Sequence, residues 1–315
     1  MLNQFRRLNI NAIIVAISIY MSAFLPECSY AEDLPAAFRH LTAATDAPVF
    51  SASPGSWDAL IRERGWILKS GETYRLWYTG YNPERAPLSM KLGYATSTDG
   101  ITWSRHPQNP IVDDFWVEDM MVVQHEGKLY MFAEGAGDQS QLLTSSDGIA
   151  WQRIGTIDVR MTDGTKIPPG PYGTPTVFVE NGTWYLFYER RDQGVWLATS
   201  TDLNVWTNVS DEPLIIPGPA EYDRLMIAMN QVITYEGRYY AVLHGTGSPM
   251  KPRDWCTYMA VSDDLRVWKK CSHGPLLPVS DNKSSGQLVH DGRQFRLYTM
   301  HARVDLHLPT RADVP

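Results

Sequence analysis

The chain has 315 residues, of which 43% are hydrophobic and 11% aromatic, and a formal net charge of -7. That charge argues against nucleic acid as a partner, which needs a basic face to neutralise phosphates, while 23 glycines and 21 prolines with little helical periodicity fit short strands and many turns. Length alone would allow two domains of about 150 residues, but a repeat running from about residue 50 to the end makes one closed array the better reading.

The N-terminus carries Arg6-Arg7, an uncharged apolar run from Leu8 to Leu25, and Ser29-Tyr30-Ala31 before Glu32-Asp33. This is the pattern of a secretory signal peptide spanning residues 1–31, which implies a secreted or periplasmic protein. An uncleaved anchor is the alternative, because the run is near the minimum length for a span. Bulky residues before Cys28 argue against lipoprotein processing. Residues 32–315 then form the mature domain, expected to be a monomer with no membrane contact.

Residues 32–46 read as an N-terminal arm, followed by Ala47-Pro48-Val49-Phe50. That tetrapeptide resembles Asn109-Pro110-Ile111-Val112, Glu212-Pro213-Leu214-Ile215 and Gly274-Pro275-Leu276-Leu277 further on. Turn glycines with an aromatic three positions later then recur at Gly71, Gly127, Gly182, Gly237 and Gly292, in steps of 56, 55, 55 and 55. The clearest unit runs from Glu180 to Trp206. It reads as a strand, an Asn181-Gly182 turn, strands Trp184–Tyr188 and Val195–Ser200, a Thr201-Asp202 turn, and a fourth strand opened by Trp206. Four short antiparallel strands per unit make a propeller blade, so the expected fold is an all-β five-bladed β-propeller. The fifth unit runs out after its third strand, near Val304–Leu308, and the arm near Ala36–Leu41 is expected to supply the missing outer strand and remove an exposed edge.

A second marker, Ser-x-Asp-(Gly or Leu)-x-x-Trp, places Asp99, Asp147, Asp202 and Asp263 or Asp264 in turns, where an Asp side chain bonds its own backbone. These mark architecture. So do the recurrent Trp77, Trp103, Trp151, Trp206 and Trp268. Cys256 and Cys271 flank the equivalent hairpin of the fourth unit and would face each other across it, either as a disulfide or as two buried thiols. The connections Tyr81–Ser89, Asp158–Tyr172, Pro217–Leu225 and Thr246–Asp254 are rich in Pro, Gly and charge, and read as loops that shape a site.

Alignment on the turn glycines sorts the ionisable residues into columns. Eight residues before the glycine stand Glu63, Asp119, Thr174, Met229 and Ser284; seven after it stand Tyr78, Glu134, Glu189, His244 and Thr299. Because the first two strands are antiparallel, both columns emerge at one end of the ring. Tyr130-Phe132 before Glu134, and Tyr185-Phe187 before Glu189, put each carboxylate at the end of an apolar face. Burial there raises a carboxyl pKa toward the range of a general acid. Trp57, Trp116 and Trp255 lie in or beside loops, where they could stack on sugar rings, and Arg190 and Arg191 could hold an anion or pair with Glu189.

The runs Tyr-Arg-Leu-Trp-Tyr-Thr-Gly at 74–80, Ala-Thr-Ser-Thr-Asp-Gly-x-x-Trp at 95–103 and Asn-Pro-Ile-Val at 109–112 resemble the five-bladed propeller glycosidases. These comprise glycoside hydrolase family 43 and its invertase and mannoside-phosphorylase relatives. The resemblance implies catalysis in the central funnel, with carboxylates at the starts of inner strands. Glu63 matches the first such position, with Asp58 as a rival, and Asp119 matches a later one. Thr174, Met229 and Ser284 depart from it, which leaves Glu189 or Glu134 to substitute as acid. Some relatives hold a structural cation in the channel, for which His290 or His301 would serve here. Otherwise no cofactor is expected, since nucleotide-binding, zinc and nucleophile-elbow motifs are missing.

The resulting expectation is a secreted hydrolase releasing terminal sugars from an oligosaccharide or polysaccharide. Asp119 and Glu189 would be the reacting pair, Glu63 or Glu134 would tune their charge, and Asp58, Glu134, His244, Trp57, Trp116, Arg190 and His301 would bind substrate. The alternatives are a non-catalytic carbohydrate-binding propeller, and a phosphorylase holding phosphate on Arg190, Arg191 or Lys283.

Overall fold

A computed structural model describes residues 33–310; the expected signal peptide lies outside them. Five small sheets follow one another along the chain as the blades of a β-propeller. The inner strands of blades 1 to 5 are Trp66–Ser70, Glu118–His125, Gly173–Glu180, Met226–Tyr235 and Gln287–His290. The second strands, Thr73–Tyr81, Lys128–Gly135, Thr183–Glu189, Arg238–Thr246 and Phe295–Met300, run back antiparallel to them. Fully buried side chains such as Leu76, Phe132, Leu186, Leu243 and Leu297 alternate along these second strands and fill the space between blades.

The ring closes through the N-terminal arm, a few residues later than expected. Leu41–Ala43 pairs antiparallel with His307–Pro309, and Phe50–Ser51 pairs with Arg303–Val304. Residues Ala36–Phe38 instead form a short 3-10 turn. Its Phe38 is fully buried, with its ring 5.0 Å from both Tyr235 of blade 4 and Phe295 of blade 5. The segment Asp158–Tyr172, expected to be a loop, contributes the strand Asp158–Arg160, which adds in parallel to the outer edge of blade 3.

The turn glycines do mark the hairpins between first and second strands, with one difference that matters for the site. In blades 2, 3 and 4 the two-residue turns are Glu126-Gly127, Asn181-Gly182 and Glu236-Gly237, both residues at positive φ. In blade 1, Ser70 pairs with Thr73, so Gly71 is the first turn residue and Glu72 the second. The step of 56 is therefore the true 55-residue period with the glycine displaced by one place. Blade 1 counted from Gly71 is out of register by one residue, which exchanges the two faces of a strand.

The Ser-x-Asp turns behave as architecture. Asp99, Asp147, Asp202 and Asp264 each accept two backbone N–H groups of their own turn through Oδ1. Asp263 instead pairs with Arg238. Trp77 and Trp206 are fully buried, and Trp77 Nε1 donates to the Gly148 carbonyl of blade 2. Cys256 and Cys271 are both free buried thiols. The ladder pairs Ala260 with Lys270, so Cys271 bonds back to Met259 while Cys256 lies opposite Gly245. The disulfide alternative fails because the hairpin register differs from a symmetric one by three residues.

Candidate active site

The inner strands of blades 2, 3 and 4 are kinked. Ladder register shifts between Glu118 and Met121, Gly173 and Thr176, and Met229 and Gln231. Arg64, Asp119 and Thr174, spaced by 55, adopt the left-handed conformation with φ of 55, 46 and 45°. Non-glycine residues hold it only where their surroundings over-determine it. With the register of blade 1 corrected, Arg64 is the equivalent of Asp119 and Thr174, Glu63 that of Glu118, and Thr79 rather than Tyr78 that of Glu134 and Glu189. Thr79 is buried and donates to the Val117 carbonyl.

The kinks surround a cavity of about 210 Å³ on the propeller axis. Glu63, Asp119, Glu134, Glu189 and His244, the five residues drawn together by the two sequence columns, all line it. Arg62, Asp138, Pro171, Thr174, Arg191, Asp192 and Trp255 complete the wall. Six carboxyl groups thus share one recess.

Two arginines organise them. Arg64, 2% exposed, donates to the carbonyls of Asp119 (2.7 Å) and Pro175 (2.8 Å) and to Thr176 Oγ1 (2.6 Å), tying the inner strands of blades 2 and 3 together. Burial lowers its pKa to about 10 against the attraction of Asp119, Glu134 and Glu189, so it stays charged at neutral pH. Arg62 pairs with Glu118 (2.9 Å) and approaches Glu63 (3.7 Å).

The carboxyl groups divide by protonation state. Burial pushes Asp119 well above the usual range, and the neighbouring charges of Glu134, Glu63 and Glu118 push it further. Its Oδ1 is buried with no hydrogen-bond partner among the described residues. Glu134 is raised to about 8, chiefly by burial, although its Oε1 accepts the Thr174 N–H. Glu189 is raised to about 7 by burial and by Asp192, whose own N–H donates to Glu189 Oε2 (2.5 Å). Asp192 is raised by burial to about 6. Glu63 goes the other way. Burial opposes ionisation, but the His301 hydrogen bond and the charge of Arg62 prevail and hold it at about 2.

Gly173 separates Glu134 from Glu189. A Cβ there would lie 2.2 Å from Glu134 Oε1 and 2.8 Å from Glu189 Oε1, so the two oxygens are at most about 5 Å apart, the sum of those distances. His244 Nδ1 lies 2.8 Å from Asn230 Oδ1. Burial lowers the His244 pKa to about 4, leaving a neutral ring at pH 7.

No protein-family model matches the chain. A 1,2-beta-oligomannan phosphorylase of Thermoanaerobacter sp. (strain X514) is 26% identical over 210 residues, 62% of this chain and 61% of that protein. The chain therefore spans about three-fifths of that curated relative. Among solved structures, a glycosyl hydrolase from Bacteroides ovatus superposes with a TM-score of 0.73 at 18% identity, over 90% of this chain and 99% of its own. The β-1,2-mannobiose phosphorylase of Listeria innocua, in complex with β-1,2-mannobiose, gives 0.66 at 16% identity over 85% and 95%. The chain thus shares the five-bladed propeller fold of these enzymes.

Several expected site residues lie elsewhere. Asp58 is fully buried in blade 1, accepting from Tyr78 and Arg105, and Trp57 stacks on Tyr78 beside a different cavity. Trp116 sits behind the recess wall and donates to Glu118 Oε1 (2.7 Å). Arg190 does not pair with Glu189; its guanidinium donates to the carbonyls of Pro168 and Pro171 and anchors that loop. Lys283 pairs with Asp305. His301 acts on Glu63 from behind, its Nδ1 also 3.1 Å from Ser284 Oγ. His290 is exposed against Phe295 at a blade 5 hairpin, so it cannot serve a channel cation. Carboxylate oxygens of Glu118, Glu134 and Asp138 come within 4.8 Å of one another, a donor set that suits a hard cation, although Arg62 already supplies positive charge to Glu118.

Arg62, Arg64, Glu118, Asp138 and Asp192 were not singled out from the sequence. The Arg62-Glu63-Arg64 run and the Glu118-Asp119 pair at matching places in two repeats carried the signal for the first three.

Proposed function

We propose that the chain is an exported glycoside hydrolase that takes one terminal sugar of an oligosaccharide into the axial recess. The observation that supports this best is the opposite protonation of two carboxyl groups in one recess, Asp119 raised and Glu63 held at about 2. Asp119 donates its proton to the glycosidic oxygen as the bond to the anomeric carbon breaks. Glu63 faces the positive charge that develops on the sugar and accepts a proton from the attacking water, whose oxygen forms the new bond. This single displacement inverts the anomeric centre. Relative to the sequence expectation, Glu63 takes the reacting role assigned to Glu189. Glu134, held by the Thr174 N–H, and Glu189, held by the Asp192 N–H, flank Gly173 and position the wall and the charge of Asp119. Trp255, edge-on to His244 at 5.2 Å, supplies an apolar face. A recess of about 210 Å³ has the size of a single sugar unit, which favours a chain end over the middle of a polymer. Export is supported by the charged, apolar and small-residue order of residues 6–31.

A second reading, a phosphorylase, is favoured by the oligomannan phosphorylase relative and by Arg62 and Arg191 in the recess. Glu63, held ionised, and Asp192, raised only to about 6, oppose an entering phosphate dianion, which favours hydrolysis. The test is a panel of manno-, arabino-, xylo- and gluco-oligosaccharides with and without phosphate, followed by product stereochemistry. Release of free terminal sugar without phosphate supports hydrolysis. Strictly phosphate-dependent release of a sugar phosphate supports the second reading, and turnover of no member contradicts both.

A further inference from the structure

Trp57, expected in the central site, opens another cavity. This one has a volume of about 470 Å³ and is walled by Trp57, Arg85, Pro87, Lys91, Asp113 and Asp114. The chain path puts it at the same end of the ring as the recess. The second strand of blade 1 ends there, as Glu134 and Glu189 end theirs in blades 2 and 3, and residues 82–90 form the connection that follows. Residues 113–117 then lead from the cavity into the inner strand of blade 2, which begins at Glu118. Five residues of chain separate Asp114 from Asp119, at most about 18 Å when fully extended. An oligosaccharide of a few units can bridge that distance.

The walls have the composition of a sugar site. The half-buried Trp57 indole stacks on Tyr78 with ring centroids 5.8 Å apart and planes at 29°. Gly80 makes this possible, since a Cβ there would lie 2.6 Å from both the Trp57 ring and the Asp58 Cβ. The indole is thus held against the blade, a rigid aromatic plate of the kind that stacks on the apolar face of a pyranose or furanose. Around it stand two cations, Arg85 and Lys91, and two anions, Asp113 and Asp114. Charges of the two signs are equal in number, with Lys91 and Asp113 3.8 Å apart, and this mix of donors and acceptors with no net charge suits hydroxyl groups, which both donate and accept, and favours a neutral glycan over an acidic one.

We propose that this cavity on the rim of blade 1 is a second carbohydrate-binding site, which holds the distal sugars of a neutral oligosaccharide whose terminal sugar enters the axial recess. The second half of this statement rests on the hydrolase reading; the binding site itself does not. The test is calorimetric binding of manno-, arabino-, xylo- and gluco-tetraoses and the matching disaccharides to full-length Asp119→Asn protein, which is slow or inert in turnover. Trp57→Ala and Asp114→Ala are then added separately. Asp114 is exposed, so its variant folds even if loss of the indole loosens its segment. For at least one sugar the tetraose is expected to bind about tenfold more tightly than the disaccharide. That advantage should disappear in both variants while disaccharide binding is unchanged. Equal binding of tetraose and disaccharide, an advantage that survives both variants, or no binding by any panel member overturns the site. Tetraose binding through Trp57 in a protein that hydrolyses nothing would overturn the hydrolase reading and leave this site standing.

Discussion

The arginine at the axis gives the most demanding test of how the site is held together. Arg64→Met keeps much of the side-chain volume but removes a buried cation that makes hydrogen bonds of 2.6 to 2.8 Å to Asp119, Pro175 and Thr176. Hydrogen bonds from a charged donor contribute roughly 1.5 to 3 kcal/mol each, and leaving their buried acceptors bare costs about the desolvation of each group. With the Asn230 carbonyl at 3.4 Å, three of the four acceptors are backbone carbonyls, whereas Thr176 Oγ1 keeps a partner by donating to the Met229 carbonyl (2.7 Å). Asp119, Glu134 and Glu189 also lose the nearby positive charge that favours their ionised forms, which leaves them more firmly protonated, while the burial cost of the guanidinium itself is recovered. Buried acceptors left bare, at about 1 to 3 kcal/mol each and offset in part by that recovery, give about 2 to 5 kcal/mol of lost stability. Urea unfolding followed by tryptophan fluorescence should show that loss as an earlier midpoint with an unchanged slope. Arg64→Lys, which keeps a charge but cannot span the same acceptors, should fall between. A loss below about 1 kcal/mol for Arg64→Met would refute the argument that this residue clamps the blades.

Stability should fall as pH rises from about 4 to about 8. Asp119, Glu134, Glu189 and Asp192 keep protons in the folded state that the unfolded chain has already released, so folding weakens until the folded-state pKa values of about 6, 7 and 8 are passed. Glu63 acts in the opposite sense, its contribution being complete above pH 4.5 and lost as pH falls toward 2. Urea midpoints at pH 5, 7 and 9 measure this, and a midpoint that rises with pH contradicts it. Gly173→Ala forces a methyl against two carboxyl groups, which should cost about 1 to 3 kcal/mol and most of the activity; wild-type stability and turnover would show that the wall has slack. Removal of residues 33–51 strips blade 5 of both arm strands and of Phe38, and should abolish cooperative unfolding of the whole ring, as read by calorimetry.

The fold was legible because each blade repeats the same local problem. A two-residue turn needs a glycine at positive φ, the next turn needs an Asp for its own backbone, and the strands between need aromatics on one face. Those requirements recur every 55 residues and need no tertiary knowledge. The convergence of Glu134, Glu189 and His244 was legible for the same reason, since each ends an apolar face at the same place in its blade. Glu63 was reached through a displaced glycine. Type II′ geometry puts Gly71 one place earlier than Gly127, so the count that reached Glu63 passed over Arg64, its neighbour and the true counterpart of Asp119. Trp57, Asp58 and Arg190 were misplaced because they belong to connections, whose paths depend on contacts such as Gly80 beneath Trp57 and the carbonyls of Pro168 and Pro171 around Arg190. Asp192 escaped notice because two successive left-handed residues, Arg191 and Asp192, fold it back onto Glu189.

The division of labour between Asp119 and Glu63 is tested most directly by leaving-group dependence. Asp119→Asn and Glu63→Gln would each be assayed on the natural oligosaccharide, whose leaving oxygen needs a proton, and on an aryl glycoside of the same sugar, whose phenolate leaves without one. Loss of the acid should slow the oligosaccharide by about 10² to 10⁴ and the aryl glycoside far less, whereas loss of Glu63 should slow both alike. If Asp119→Asn slows the two substrates equally, or if either variant retains wild-type turnover of the oligosaccharide, the assignment is wrong.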